Sequence, residues 1–269
     1  MKYDPIKRSL GNVFNKKPFL RKVFYKLLDL LLLRTWHIKR EMKIIRKELG
    51  ENANVLDAGA GFGQYTYYMS SSSKKWRITG VDIKEEQIED CNNFFKLIKR
   101  EDRVKFEIAD LTQLSQKDPY DLIVCVDVME HIEEDVKVFK NYASVLRDKG
   151  ILLISTPSDQ GGSDVHHDHE ESFIDEHVRD GYGAEEIKQK ILGAGFSSVD
   201  VKYSYNWAGK ISWKLSMKIP INILNVSKLF FILIPFYYLI TFPFCLLLNV
   251  IDVKGSHKTG AGLIVKAVK

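Results

Sequence analysis

The stretch VLDAGAGFGQYT, Val55 to Thr66, decides how the rest of the chain is read. An apolar run ends in Asp57, three glycines follow at alternate positions (Gly59, Gly61 and Gly63), and the start of a helix comes next. Glycine adopts left-handed backbone conformations at little cost and lets a ligand approach the main chain closely. A strand that delivers such a turn to a helix N-terminus is a cradle of the nucleotide-binding kind.

The spacing then narrows the ligand. A dinucleotide fingerprint reads GxGxxG, whereas here Gly59-x-Gly61 is followed by Phe62, Gly63 and Gln64. Asp57, just ahead of the glycines, offers nothing to a pyrophosphate but attracts a cationic amino-acid moiety. The stretch resembles motif I of the class I S-adenosylmethionine (SAM) methyltransferases, whose ligand carries an ammonium and a sulfonium and no phosphate. That resemblance implies that Asp57, Gly59 and Gly61, with Gly63 in the same turn, hold the methionine part of SAM.

Downstream, WRITGVDI (Trp76 to Ile83) reads as a second strand ending in Asp82, and a helical pattern follows from Lys84 to Lys99. A carboxylate at that strand end can accept from both hydroxyls of a ribose, so Asp82, with Ile83 beside it, is assigned to the cofactor. VKFEIADL (Val104 to Leu111) is a third strand. In the methyltransferases it resembles, the acidic residue after this strand contacts the adenine amino group and its neighbour packs on the ring, which implies these roles for Asp110 and Leu111. Asp110 also suits a turn or helix cap.

YDLIVCVDVMEHI, Tyr120 to Ile132, contains a fully apolar strand from Leu122 to Val126, as expected for a central parallel strand covered on both faces. Val126 closes the cofactor side, and Asp127, Glu130 and His131 leave the strand at its carboxyl end. A helix from Glu133 to Arg147, a turn at Asp148 to Gly150, a strand from Ile151 to Pro157, a helix from Ala184 to Leu192 and a strand from Ser197 to Tyr205 continue the alternation. The fold class expected is α/β, a doubly wound, mostly parallel seven-stranded sheet with an antiparallel last strand at Gly260 to Lys269. Over Asn52 to Asp200 the order and spacing resemble the quinone-biosynthesis type O-methyltransferases.

The acceptor side has two readings. Asp127, Glu130 and His131, with His177 from the later His-rich segment, could ligate a hard divalent ion such as Mg that acidifies a substrate hydroxyl. This set resembles that of the ubiquinone O-methyltransferases and of small-RNA 2′-O-methyltransferases, which carry Glu where this chain has Asp127. Without a metal, His131 is a general base or orienting group, and Glu130 and His177 complete the catalytic set. His177 is favoured over the run from His166 to His169.

The flanks carry the charge and the apolar surplus. The 269-residue chain has a formal net charge of +5, yet Met1 to Gly50 holds 14 Lys and Arg against 4 Asp and Glu, so the remainder is acidic. Within this basic arm, Lys17 to Trp36 places Leu20, Val23, Phe24, Leu27, Leu28 and Leu31 at helical spacing, fitting either an interfacial helix or a cap on the catalytic domain. His37 to Leu49 continues as a helix. Leu27 to Leu33 is too short, and is interrupted by Asp29, for a cleavable signal. Cys91, Cys125 and Cys245 form no CxxC pair, which suits a reduced compartment.

Leu229 to Ile251, LFFILIPFYYLITFPFCLLLNVI, is 23 residues without a charge. It is long enough to span a bilayer. A last strand at Gly260 to Lys269 must rejoin the sheet, so both ends of this segment have to lie on one side. The expectation is a hairpin-like insertion into one leaflet, bent near Pro235 or Pro243; the alternatives are a segment folded onto the protein as a lid or dimer interface, and a true span with an unpaired tail. The parts expected are a basic amphipathic arm (1–50), a methyltransferase core (51–205), a hydrophobic membrane-associating insertion (206–256) and the final strand (257–269). The function expected is SAM-dependent methylation of a hydrophobic or lipid-linked small-molecule acceptor, at oxygen or nitrogen, on the cytoplasmic face of an anionic membrane. The rivals are an RNA 2′-O-methyltransferase, although an uncharged aromatic insertion disfavours nucleic acid, and a non-catalytic SAM-binding scaffold.

Overall fold

Period-2 apolar patterns alternate with period-3.6 patterns through the middle of the chain, and the computed structural model turns them into strands and covering helices. It describes residues 17–115, 118–161, 178–226 and 232–269; His177 and the run from His166 to His169 lie outside them. Two helices come first, α1 (Pro18–Leu31) and α2 (Leu33–Leu49). The alternation follows as β1 (Asn54–Ala58), α3 (Gln64–Ser72), β2 (Arg77–Asp82), α4 (Glu85–Leu97), β3 (Val104–Ile108), β4 (Tyr120–Val126), α5 (Asp135–Val145), β5 (Leu146–Pro157), α6 (Ala184–Gly193) and β6 (Ser198–Ser204). Helices α7 (Trp207–Trp213), α8 (Ile219–Val226) and α9 (Ile234–Lys254) precede β7 (Gly262–Val268).

The seven strands form one sheet in the order β3-β2-β1-β4-β5-β7-β6. The first five are parallel, and β7 runs antiparallel between β5 and β6. Side chains alternate faces along each strand. Val55, Leu122, Val124 and Leu153 therefore meet Ile38, Ile45, Met69 and Phe95 on one face. Leu56, Ile123, Cys125 and Leu152 meet Phe139, Tyr142, Ile187 and Ile191 on the other. The strand order reverses between β1 and β4, and it is outside the carboxyl ends at such a switch point that open α/β sheets form their ligand crevice.

Two sequence expectations are corrected and a third is narrowed. The helix expected over Lys17 to Trp36 breaks at Leu32, whose extended backbone separates α1 from α2. The turn at Asp148 to Gly150 lies inside β5, because Tyr120 pairs with Leu146 and Leu122 with Ile151, which leaves the intervening residues as a bulge. Of the two prolines at which a bend is expected, Pro243 does not fold the apolar segment back. Pro235 sits in the first turn of α9, where its missing N–H costs no bond, and the helix runs on through Pro243.

Helices α7 and α9 pack as an antiparallel pair. Ser212 Oγ donates to Asn249 Oδ1 at 2.6 Å, and the hydroxyls of Tyr237 and Tyr238 donate to the carbonyls of Leu215 and Ser216 at 2.7 and 2.6 Å. Those two carbonyls lie in a π-helical turn, Lys214–Lys218, whose altered bonding the tyrosines satisfy. The outer side of α9 is apolar and open to solvent, Leu239 being 77% and Phe236 64% exposed. Among the described residues α9 is the one helix long and apolar enough to cross a membrane.

The basic arm caps the core. Arg21 is 3% exposed and donates to the carbonyls of Phe62 and Asp90 at 2.9 and 3.1 Å, while the Tyr25 hydroxyl also donates to the Phe62 carbonyl. The arm thereby reaches the glycine turn itself. Phe19, Leu27 and Leu30 of α1 stay exposed.

Candidate active site

All three glycines of the turn have positive φ: 75° at Gly59, 52° at Gly61 and 75° at Gly63. Their surroundings differ. A Cβ on Gly59 would lie 2.3 Å from Val128 Cγ2, and one on Gly63 would lie 3.2 Å from Cys91 Sγ. A Cβ on Gly61 would meet nothing nearer than Gln87 Oε1 at 3.9 Å. A side chain at Gly59 or Gly63 would therefore press on its neighbours, whereas Gly61 has open space where its Cβ would stand.

Asp57 is turned inward. The carboxylate is 2% exposed and accepts from Thr66 Oγ1 at 2.5 Å, so its observed place is behind the turn, bracing the first turns of α3. Burial, against the Thr66 bonds and with the nearby Asp82 charge, pushes its pKa up to about 6. Asp82 stands at the rim. Its Oδ2 accepts from Gly61 N at 2.9 Å and its Oδ1 from Lys84 N at 3.0 Å, which orients the carboxylate while leaving further lone pairs for a diol.

Beyond Asp82 the rim is apolar. Ile83 is 69% exposed, and Ile108, paired with Asp82 across the β2–β3 ladder, is 56% exposed. Asp110 Oδ1 accepts from Thr112 N at 2.8 Å and caps a short 3-10 turn, so the capping reading describes one of its oxygens. Leu111 and Val126 are buried in the two core layers, under the rim instead of on it. Ile108 was missed because an apolar residue in a strand reads as core. Its signal was its position at the carboxyl end of β3.

The acceptor side is built on the turn after β4. Asp127 has φ 53° and its N–H donates to Ser155 O at 2.9 Å, which aims its side chain out of the sheet end. There it forms a salt bridge with Arg34, from the first turn of α2. Tyr65 faces this pair, and burial pushes its phenol up to about 12, opposed by Arg34. Glu130 is 2% exposed and Thr156 Oγ1 donates to it at 3.2 Å. Burial first, then the Asp127 charge, raise its carboxyl to about 8. His131 lies next to it in the 3-10 turn Met129–His131. Val178 N donates to Glu130 O at 3.1 Å, so the segment that returns after residue 177 ends against this turn.

Arg34 and Tyr65 were also missed. One belongs to a flank read for its charge alone, and only tertiary packing brings it 93 positions along the chain to Asp127. Of the metal set expected of Asp127, Glu130, His131 and His177, the last lies outside the described residues, and among those described no three His, Cys, Asp or Glu side chains converge. Asp127 is engaged by Arg34, and Glu130 is buried against the Thr156 hydroxyl.

A crevice at the switch point, a glycine turn and a rim carboxylate together suit a nucleoside carrying an amino acid. Residues 49–206 match the family model of the methyltransferase domain, which is more than half of the chain. The chain belongs to this family, the class I SAM-dependent methyltransferases. Its described relatives include (S)-coclaurine N-methyltransferase of Papaver somniferum, 28% identical over 40% of this chain and 31% of that protein. They also include 27-O-demethylrifamycin SV methyltransferase of Amycolatopsis mediterranei, 31% identical over 37% of each, and ubiquinone biosynthesis O-methyltransferase of Rickettsia typhi, 25% identical over 47% of this chain and 51% of that one. The chain spans from 31% to 51% of the length of these relatives.

Solved structures share the fold more broadly. A sarcosine dimethylglycine methyltransferase of Galdieria sulphuraria superposes with a TM-score of 0.58 at 16% identity, covering 86% of this chain and 82% of that one. The cyclase SpnF gives 0.57 at 16% identity over 86% and 80%. A fold shared by a methyltransferase and a cyclase does not by itself select a reaction. The methyltransferase domain of this chain is thus shown by its family match, and its acceptor must be argued from the site.

Proposed function

We propose that this methyltransferase transfers the SAM methyl group to an oxygen or nitrogen of a hydrophobic, lipid-linked acceptor at the cytoplasmic face of a membrane. The observation that carries the reading is the α7–α9 hairpin, an apolar and solvent-exposed projection rooted beside the Arg34–Asp127 pair. Its two ends meet at the sheet, where Ser204 pairs with Gly262, so the apolar tip can enter one leaflet without carrying β7 across. Lys210, Lys214 and Lys218 lie on α7 and the π turn with Trp207 and Trp213, the residue types that sit at a bilayer interface. In this reading 51–205 carry the chemistry, 1–50 and 206–256 place it, and 257–269 complete the sheet.

SAM supplies a methyl group on a positively charged sulfur, open to in-line attack. The chain contributes alignment, which can amount to about 7–11 kcal/mol of the barrier. Gly61 admits the donor to the turn, Asp82 takes the ribose, Asp110 with the Ile83–Ile108 rim takes the adenine, and Arg34 with Tyr65 takes the amino-acid end, its guanidinium matching a carboxylate. His131 is assigned to the acceptor as base or orienting group, a role worth roughly 10²- to 10⁴-fold. Ubiquinone biosynthesis O-methyltransferase among the relatives supports an aromatic hydroxyl of a membrane-soluble compound as the acceptor type.

Incubation with methyl-labelled SAM and a total lipid extract tests this. A labelled product that partitions into organic solvent is expected, and its loss in His131→Ala with donor binding retained. Label appearing only in water-soluble products would overturn the acceptor assignment.

A further inference from the structure

The hairpin is rooted on a carboxylate. Asp252, in the last turn of α9, is fully buried. Its Oδ1 accepts from His37 Nε2 at 2.7 Å and from Tyr205 N at 3.2 Å. Its Oδ2 accepts from Asn206 N at 2.9 Å and Gly209 N at 3.1 Å. A Cβ on Gly209 would stand 2.6 Å from that oxygen and 2.7 Å from Leu33 Cδ2, so α2, α7 and α9 meet here without slack.

Two of these partners lead to the donor site. His37 lies one helical turn along α2 from Arg34. The Tyr205 hydroxyl accepts from Arg34 N at 3.0 Å. That N–H belongs to the first turn of α2, where no preceding carbonyl of the helix can take it, so the phenol serves as its cap. Tyr205 itself has φ 56°, a conformation its N–H bond to Asp252 helps to hold. From the same position the Arg34 side chain pairs with Asp127, whose neighbour Val128 closes over Gly59.

We propose that Asp252 is a positioning residue for the methyl-donor site: by holding His37 and Tyr205 it fixes the first turn of α2 and hence the place of the Arg34 guanidinium. The hairpin is in this way part of the donor site's framework as well as an apolar projection. The proposal rests on reading the glycine turn and Arg34 as the SAM-binding site. If Asp252 only stapled the hairpin, its loss would lower the melting temperature and leave donor affinity in the folded protein unchanged.

Calorimetric titration of the full chain with S-adenosylhomocysteine separates these. Asp252→Asn, which keeps shape and removes charge, and Arg34→Gln should each weaken binding about tenfold, the scale of 1.4 kcal/mol. Tyr205→Phe, which removes a single acceptor and preserves the ring, should weaken it several-fold. The Asp252→Asn/Arg34→Gln double variant should bind no more weakly than Arg34→Gln alone, since one residue acts through the other. Wild-type affinity in Asp252→Asn, or full additivity in the double variant, overturns the proposal. If Asp252→Asn does not fold, the same cycle with Tyr205→Phe decides it, additivity again being the overturning result. A wild-type chain that binds no S-adenosylhomocysteine would instead defeat the donor-site reading beneath it.

Discussion

At the scale of single residues, Gly59 and Gly61 look alike in the sequence and differ in what they face. Alanine at Gly59 would drive a methyl into Val128 in addition to a strained φ, and a large loss of stability is expected, read as a fall in melting temperature. Alanine at Gly61 meets open space and carries mainly the left-handed backbone cost of about 1–2 kcal/mol. Gly61→Ala should therefore stay folded while losing S-adenosylhomocysteine affinity, because its methyl occupies the crevice. Equal effects of the two substitutions on stability would contradict the assignment of Gly61 to the ligand.

Glu130 makes a pH prediction of definite sign. Its folded-state carboxyl titrates near 8, raised by burial and by Asp127, against about 4.3 in an unfolded chain. Between those values the folded state holds the extra proton, so the stability Glu130 contributes is present at low pH and is lost as pH rises toward 8. Glu130→Gln mimics the protonated form. Its melting temperature should vary less across that window than the wild type's, and any rise of activity with pH through about 8 should vanish with it.

At the scale of elements, α9 is held by one side and bare on the other. Ser212, Asn249, Cys245, Tyr237 and Tyr238 tie it to α7 and the π turn through small residues and satisfied polar groups. The outward positions Phe236, Leu239, Ile240, Phe244 and Leu247 recur at helical spacing and are each at least 60% exposed. A stripe of this kind has no reason to persist in water alone. Leu239→Glu should leave the unfolding free energy within about 0.5 kcal/mol of wild type, as for other exposed sites, and reduce co-sedimentation with anionic phospholipid vesicles. Unchanged vesicle binding would point to a protein partner for this face.

At the scale of the whole molecule, the arm and the core are one unit. Arg21 docks α1 by donating to Phe62, Asp90 and Tyr25, and the Phe62 carbonyl belongs to the glycine turn. Removing a buried charged donor leaves these groups unsatisfied, so Arg21→Met should cost on the order of 3 kcal/mol. It should also weaken donor binding, since the turn loses its outer support. Calorimetry and titration on the same sample would show whether the two losses occur together.

The strand and helix alternation, the glycine turn and the acidic residue at the end of β2 were legible in the sequence because each depends on local backbone requirements. Val55 to Thr66 determines a turn of left-handed residues wherever it is placed, and the apolar runs of β4 and β5 can only be central strands. The return of Gly260 to Lys269 to the sheet was legible for the same reason. What the tertiary structure alone decided is which side chains face the crevice. Asp57 turned inward to Thr66, Leu111 sank into the core, and Arg34, Tyr65, Tyr205 and the buried Asp252, from distant parts of the chain, came together beside Asp127. Their meeting depends on how α2 and the hairpin pack against the sheet. Packing joins residues by surface and not by sequence spacing, so no periodicity within any one of these segments records it.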